Sequence, residues 1–389
     1  MAIKSSLSAL LLTASALVPS NIAHAATFLS SVVMSGLNNP RSVQFGPDGS
    51  LYVAEAGFLS VGGPTITIRG NVFNYANTGS ISRLAGGVQT RIVAGLPSLS
   101  SSTSNETIGP AGIAFGSDGT GYVAIGYGTD PAARFTSLAP EGYKLGQIFK
   151  FTGGPPTPFA DVAAYESANN PDGGELNSNP FHIARAPTGL IVTDAGANTL
   201  LNVGPTGTVS LIATFPSRNI GGGFPSDSVP TGIVVGPDGN YYVAELTGFP
   251  FTPGAARIYR VTPAGAVTVA YTGFTNLTDI AFGSDGSLYA LELDSDGLAG
   301  PKVGGALIKI GTDGTREIIW NQGLITPTGF TIGSDGAFYV TNFSAASGRG
   351  EVIRIAAAPE TATWTMMIVG FGAVGGAIRL RRRTSVYFG

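Results

Sequence analysis

Six copies of one short phrase constrain the fold of this chain more than any other feature of its sequence. Each copy begins with apolar residues, passes through a tight-turn sequence that ends in glycine, and continues into a second apolar and aromatic stretch. The closing glycines are Gly49, Gly119, Gly189, Gly239, Gly286 and Gly336. They lie 70, 70, 50, 47 and 50 residues apart. Because aspartate early in such a turn caps the backbone and the final glycine supplies a positive φ, each copy predicts a β-hairpin.

Two more strand-like stretches follow the hairpin in several copies. Examples are 80–84 with 90–94, 257–261 with 266–270, and 306–310 with 316–320. Four strands in roughly 45–50 residues is the pattern of a propeller blade. The sequence therefore predicts an all-β, six-bladed β-propeller over residues 26–357. We expect extra loops at 57–77 and 126–145, and a connection rich in Pro, Asn and Gly at 166–179.

The sixth copy is one strand short. Its third strand is expected at 351–355, and no fourth strand pattern follows it. The stretch 28–34 precedes the first copy and resembles the fourth strands of the other copies. We therefore expect this N-terminal strand to complete the last blade, because that pairing removes two open sheet edges.

Composition excludes several classes of function. The 389-residue chain has 57 glycines, no cysteine and two histidines, so thiol catalysis and thiolate metal sites are ruled out. Residues 27–358 carry 16 Lys and Arg against 23 Asp and Glu, which argues against nucleic acid as a partner. A single large domain of this length buries enough apolar surface to fold without disulfides.

The N-terminal segment is typical of a secretory signal. Lys4 precedes an apolar stretch at 7–18, and Ala23-His24-Ala25 forms a small-residue cleavage site. We therefore expect residues 1–25 to be a signal peptide and the protein to be exported. Cleavage after Ala25 leaves His182 as the only histidine of the mature chain.

The C-terminal segment, residues 358–389, has three parts. Pro359, Glu360 and Trp364 precede an uncharged stretch at 361–378, which is long enough for a single transmembrane helix. The arginines that follow are Arg379, Arg381, Arg382 and Arg383. They favour a cytoplasmic end for that helix. A plain membrane anchor is the alternative interpretation.

This three-part layout resembles the PEP-CTERM sorting signal in its PEPxxWA variant, although Thr361 and Thr365 depart from the motif. The resemblance implies an exosortase-type enzyme as a partner and transient anchoring in the inner membrane. The mature protein would then reside in the periplasm, in the outer envelope or outside the cell.

The repeats resemble NHL and SMP-30-type six-bladed propellers, and are most similar to the ScyD/ScyE family. The stretches that carry the resemblance are 36–41, 192–198, 245–251 and 253–261. It extends over essentially the whole exported domain and implies a bacterial, secreted propeller. It implies no catalytic residues, and we assign none.

Aligned repeats place three unusual residues near one mouth of the central channel. Positions at the start of the innermost strands are mostly Thr, Ala or Gly, whereas Arg41, His182 and Asp279 are polar or charged. Propellers commonly bind ligands at the channel mouth, so these three are candidate ligand-binding residues. The alternative is a polar plug that keeps the channel hydrated.

A second set of equivalent positions ends the second strand of each blade. Four of the six are carboxylates: Glu55, Asp194, Glu245 and Glu292. Carboxylates suit Ca²⁺ or another divalent cation, so these residues are candidate metal ligands. Alternatively, they accept hydrogen bonds from blade loops as part of the repeat.

We expect a monomeric ligand-binding or surface protein of the cell envelope rather than an enzyme. An extracellular polysaccharide or a small molecule is the expected ligand, and a matrix or adhesive role is a third possibility. The enzymatic alternative is a metal-dependent lactonase or hydrolase of the SMP-30 type, for which carboxylates and amides on the propeller axis supply suitable ligands.

Overall fold

The computed structural model describes residues 28–301 and 304–358, and within these ranges the fold is an all-β, six-bladed propeller. The segment Phe28–Ala356 forms one compact unit. The signal peptide, the sorting signal and the transmembrane helix expected from the sequence lie outside the described residues. No helix within the described ranges is long and apolar enough to cross a membrane.

The first strand belongs to the last blade, and blade 1 follows it. The first strand is β1 (Phe28–Asn38). Blade 1 contains β2 (Pro40–Phe45), β3 (Leu51–Glu55), β4 (Thr65–Ile68), β5 (Asn71–Ala85), β6 (Val88–Ser101) and β7 (Thr107–Ile108). These strands pair in the order β2-β3-β5-β6-β7, and β4 pairs with β5.

The prediction that residues 57–77 form only an extra loop is wrong, because this region contains β4 and the first part of β5. Ile66 and Ile68 of β4 are buried, whereas Thr65 and Thr67, which alternate with them, are exposed. Alternating burial of this kind is the signature of a strand with one face on a core. Phe73 and Tyr75 of β5 complete the same cluster, so blade 1 extends well beyond an ordinary blade.

Blade 2 carries the second insertion. Its strands are β8 (Pro110–Phe115), β9 (Gly121–Ile125), β10 (Gln147–Phe151) and β11 (Thr157–Asp161). Two short 3₁₀ helices, Pro131–Phe135 and Gly142–Lys144, lie where the sequence predicts a loop. Helix α1 (Val162–Asn169) then follows, with the Asp161 carboxylate accepting the Ala164 N–H at its start.

Blades 3, 4 and 5 are regular four-stranded sheets. Blade 3 contains β12 (Pro180–Ala186), β13 (Gly189–Asp194), β14 (Thr199–Val203) and β15 (Val209–Thr214). A small hairpin, β16 (Arg218–Asn219) with β17 (Pro225–Ser226), precedes blade 4. Blade 4 contains β18 (Pro230–Val235), β19 (Tyr241–Glu245), β20 (Ala256–Val261) and β21 (Val267–Phe274). Blade 5 contains β22 (Leu277–Phe282), β23 (Leu288–Glu292), β24 (Ala306–Ile310) and β25 (Arg316–Trp320).

The N-terminal strand completes blade 6, as the sequence predicts. The remaining strands are β26 (Phe330–Ile332), β27 (Phe338–Asn342) and β28 (Ser347–Ala357), and the sheet order is β1-β28-β27-β26. The Ser347 hydroxyl lies 3.0 Å from Asn38 Oδ1, and the Phe28 ring lies 6.4 Å from that of Phe338. The two ends of β1 therefore fix an antiparallel pairing with β28.

The repeated turns have the geometry that their sequence indicates. In the first copy Gly49 has φ 73°, and Asp48 Oδ1 accepts the Ser50 N–H at 3.0 Å. A Cβ on Gly46 would lie 2.4 Å from the ring of Tyr52, so the glycine makes room for the tyrosine. Equivalent contacts recur in blades 4, 5 and 6, which explains why the phrase combines glycine, aspartate and tyrosine.

The insertions all occur on one face of the propeller. We call it the upper face and define it as the face where first strands begin and second strands end. Because strands alternate in direction, the Asp-Gly turns lie on the opposite face. The 3₁₀ helices, β4, α1 and the β16–β17 hairpin all fall in connections on the upper face. Because the insertions all lie on the upper face, we expect a functional site there.

Candidate functional site

Small and larger residues alternate around the channel at the upper end of the inner strands. The six equivalent positions are Ser42, Gly112, His182, Gly232, Asp279 and Gly329. A Cβ on Gly112 would lie 2.6 Å from the Cα of His182, and one on Gly232 would lie 2.5 Å from the Cα of Asp279. The three glycines thus let the six inner strands pack closely against one another around the channel.

This close approach brings His182 and Asp279 together across blade 4. His182 Nε2 lies 3.4 Å from Asp279 Oδ1, although the two residues belong to blades 3 and 5. The side chains are 13% and 3% exposed, respectively. His182 Nδ1 has no hydrogen-bond partner among the described residues. The pair therefore leaves one ring nitrogen buried and without a partner among the described residues, near the upper end of the inner strands.

Backbone groups fix the position of Asp279. Its Oδ2 accepts the N–H of Phe330 at 2.9 Å, and its Oδ1 accepts the N–H of Ile280 at 2.9 Å. Burial raises the pKa of Asp279 above its ordinary value, while the nearby His182 and these two N–H groups oppose that shift. A carboxylate held in this way can orient the neighbouring imidazole.

Arg41 takes no part in this pair. Its Nη2 donates to the carbonyl of Thr107 at 2.5 Å and thereby ties β2 to β7, the last strand of blade 1 before blade 2. It shares no hydrogen bond or ion pair with His182 or Asp279 in the part of the chain that the structure describes. Burial lowers the pKa of Arg41, and Glu106 opposes the shift.

Threonines at the positions equivalent to Arg41 also link consecutive blades. The hydroxyls of Thr231, Thr278 and Thr328 donate to the carbonyls of Leu277, Pro327 and Pro40 at 2.8, 3.5 and 3.0 Å. These bonds connect blade 4 to 5, blade 5 to 6 and blade 6 to 1. The Thr107 carbonyl is thus the structural partner of Arg41. The position of Arg41 in the repeat does not predict this contact.

The carboxylates that end the second strands are each held by chain segments next to their own blade. Every one accepts a hydrogen bond from the segment that leads into that blade. The donors are the Asn38 N–H for Glu55 (2.7 Å), the Asn179 N–H for Asp194 (2.6 Å), the Ser228 hydroxyl for Glu245 (2.9 Å) and the Thr275 N–H for Glu292 (2.8 Å). This arrangement matches the alternative in which the repeated acids stabilise loops.

The same carboxylates have further partners. Arg91 pairs with Glu55 at 2.9 Å, and Arg218 forms an ion pair with Glu245. Burial raises the pKa of Asp194 and of Glu292. Among the described residues, no three His, Asp or Glu side chains are grouped closely enough to hold a metal ion. A shared cation at these four positions stays a prediction.

An exposed aromatic cluster lies in the connections on either side of β18 and β19. Phe224 and Phe249 stack with ring centroids 6.1 Å apart and an interplanar angle of 10°, and Phe251 meets Phe249 edge-on at 6.1 Å. Phe249 is 61% exposed and Phe224 is 47% exposed. Phe251 and Phe249 occur as Phe-Pro-Phe in the sequence, but no repeat position marks them, so sequence reasoning missed the cluster.

Solved structures with the same architecture provide an independent comparison. A putative oxidoreductase (glucose dehydrogenase) from Thermus thermophilus is 16% identical, covers 85% of this chain and 100% of its own, and has a TM-score of 0.51. A putative gluconolactonase is 14% identical, covers 86% of this chain and 94% of its own, and also has a TM-score of 0.51. A Bacteroides thetaiotaomicron protein of unknown function is 12% identical, covers 85% and 77%, and has a TM-score of 0.52.

These likenesses show the fold alone, because identity in every case is far below the level at which function transfers. The six-bladed propeller is therefore confirmed, and proteins named as a putative oxidoreductase and a putative gluconolactonase share it. No family model matches the sequence, and no curated protein matches it.

Proposed function

We propose that the protein is a ligand-binding propeller that takes a small polar molecule at the upper mouth of its channel. The observation that carries this proposal is the His182–Asp279 pair. A buried ring nitrogen without a partner, such as Nδ1 of His182, is costly unless a ligand or water completes it. The insertions on the same face add surface around the channel entrance, as expected for a binding face.

Ligands with a ring and several hydroxyl groups suit this face best. His182 can exchange hydrogen bonds with a hydroxyl group, and the exposed rings of Phe224 and Phe249 offer flat apolar surfaces. Sugars and sugar acids combine a polar edge with an apolar ring face. An extracellular polysaccharide end or a free sugar derivative is therefore the proposed ligand class.

The single histidine of the mature chain gives a direct test. In protein labelled with ¹⁵N, the imidazole signals belong to His182 without further assignment. We expect sugars or sugar acids to shift these signals saturably, and His182→Gln to weaken binding at least tenfold. Arg185→Gln, on the exposed end of the same strand, is the matched control. If no member of a sugar, sugar-acid and lactone panel moves the His182 signals, the channel mouth is not the binding site.

Phe249→Ala tests the aromatic part of the proposal separately. Removing this exposed ring takes away a stacking surface without disturbing a core. We expect weaker binding with an unchanged melting temperature. Unchanged affinity would remove the phenylalanines from the site and leave the His182 test standing.

Hydrolysis of lactones is a second candidate function, and one observation favours it. A carboxylate beside an imidazole is the arrangement by which an enzyme orients a general base. One of the structurally similar proteins bears the name putative gluconolactonase. In this case Asp279→Asn abolishes turnover but retains binding, whereas a binding protein shows no turnover with either form.

The cellular setting is also proposed. We propose that residues 1–25 export the protein, that an exosortase-type enzyme processes its PEP-CTERM-like tail, and that the chain is a relative of the ScyD/ScyE proteins. Its mature form would be a monomer of the cell envelope. The layout of Pro359, Glu360 and Trp364 ahead of the four arginines supports the sorting proposal.

A further inference from the structure

A buried acid on α1 takes no part in the channel site. Glu166 is only 1% exposed, and neither of its carboxylate oxygens has a hydrogen-bond partner among the described residues. Leaving a buried carboxylate without donors costs more than leaving a neutral group so. No donor among the described residues meets hydrogen-bond geometry with this carboxylate, so a partner from outside the polypeptide can bind it.

Two amide oxygens share this condition. The Oδ1 atoms of Asn170 and Asn177 are buried and also lack hydrogen-bond partners within the described ranges. Asn170 directly follows α1, and its N–H donates to the Glu166 carbonyl at 2.9 Å. The Asn177 backbone N–H opposes the rise in the pKa of Glu166, which places that residue beside the carboxyl group. All four unpartnered atoms are therefore acceptors on α1 or in the connection from α1 to β12.

Blade 3 leaves room for this connection. A Cβ on Gly196, in the turn between β13 and β14, would lie 2.6 Å from Asn177 Oδ1. The absence of a side chain at Gly196 thus lets the Asn177 amide pack against the blade. Asp172 is fixed nearby, since its Oδ2 accepts the Asn198 side-chain N–H at 3.0 Å.

The electrostatics of the connection are those of a site for a cation. Asp194 and Asp172 lie close enough to Glu166 to repel its negative charge. None of these three carboxylates forms an ion pair with a Lys, Arg or His of the described residues. Negative charge accumulates here without a basic side chain to balance it.

We propose that Glu166, Asn170 and Asn177 form a binding site for a hard divalent cation such as calcium. One carboxylate and two amide oxygens supply only part of a calcium shell, and carbonyls of the connection and water would complete it. Asp194 is not a ligand, because Ser178 and three backbone N–H groups already occupy its oxygens. The site is thus distinct from the four equivalent carboxylates and from the channel mouth.

Calcium titration of the full-length protein after treatment with a chelator tests this site. We expect one calcium ion per chain by isothermal titration calorimetry. Calcium at about 100-fold excess over its Kd should raise the folding equilibrium constant about 100-fold, which shows as a higher melting temperature. Glu166→Gln keeps the shape of the side chain and should weaken calcium binding at least tenfold.

Two further variants keep the test decisive. Glu175→Gln changes an exposed acid of the same connection and should bind calcium as the unaltered protein does. Asn177→Ala should lose affinity at least tenfold, and it carries the test if Glu166→Gln fails to fold. The proposal is overturned if the unaltered protein binds no calcium, or if Glu166→Gln and Asn177→Ala both retain full affinity.

Discussion

At the scale of single residues, the alternation of glycine with larger residues decides the geometry of the channel mouth. Gly232 lies on the inner strand between those that carry His182 and Asp279. Because it has no side chain, His182 Nε2 and Asp279 Oδ1 come within 3.4 Å of each other. The aligned repeats singled out both residues, because they interrupt a set of small equivalents. Their contact was not predictable, since it depends on how closely three inner strands approach one another.

Gly232→Ala should destabilise the protein. The added Cβ would lie 2.5 Å from a backbone atom of Asp279, and a packed inner ring relaxes little. We expect a loss of about 1–3 kcal/mol in the free energy of unfolding, measured by urea denaturation. Gly154→Ala is the matched control, because nothing lies within 4 Å of its added Cβ. Equal stability of the two variants would contradict the close packing of the ring.

Glu166 predicts a pH dependence of stability in calcium-free solution. Its pKa rises from 4.5 to about 7 in the folded protein, chiefly through burial and then through Asp194 and Asp172. Between these two values the unfolded chain releases a proton that the folded chain keeps, so stability falls as the pH rises. We expect a loss of about 1–3 kcal/mol across this window, measured by urea denaturation at several pH values.

Glu166→Gln removes the titrating group and should flatten that profile, whereas Glu175→Gln should not. Calcium should restore stability above pH 7 in the unaltered protein. A profile that keeps its slope in Glu166→Gln would assign the pH dependence to another group. No repeat position or motif in the sequence marks Glu166, because its importance depends entirely on burial.

At the scale of elements, the repeat predicted most of the strands and the closure of the ring. Each strand that the repeats predict has a counterpart in a blade. The failure lies between β3 and β5, where a loop was expected. The run Thr-Ile-Thr-Ile at Thr65–Ile68 alternates as a strand does, but it belongs to a core that blade 1 shares with blade 2 and its insertion, including Leu138 and Leu145. Comparison between repeats therefore could not find it.

The contribution of β1 to blade 6 can be measured with one substitution. Met34 is 1% exposed and packs with Leu37 and Val352. Met34→Ala should cost about 2–5 kcal/mol through lost burial and a residual cavity, measured by urea denaturation. Val32→Ala, at a site 55% exposed on the same strand, should be close to neutral. Deleting residues 27–36 should lower the melting temperature; an unchanged value would contradict closure by this strand.

At the scale of the whole molecule, the chain concentrates its departures from regularity on one face. On the opposite face the Asp-Gly turn recurs in most blades, so the sequence predicted the structure of these turns. The upper face is built from insertions that occur once each, and its aromatic cluster and proposed cation site followed only from three-dimensional contacts. The candidate sites lie where the repeats differ, which is where comparison between repeats is weakest.

The sorting proposal predicts where the protein is found. Removing residues 359–389 takes away the uncharged stretch and the four arginines, so the truncated protein should leave the membrane fraction. Immunoblots of membrane, periplasmic and medium fractions measure this shift. Trp364→Ala should leave more unprocessed protein in the membrane if an exosortase-type enzyme recognises the tail. Identical fractionation of all three forms would contradict the proposal.

The pairing of β1 with β28 has a mechanical consequence. A tether attached beyond residue 358 would pull along β28, which has a hydrogen-bonded neighbour on each side. Pulling lengthwise on such a strand loads two ladders in shear at once, whereas an uncovered edge strand would slide against only one. Single-molecule stretching from that end should show a lower rupture force when β1 is deleted. Blade 6 thus makes the ring suited to bearing load at the point where the chain would be anchored.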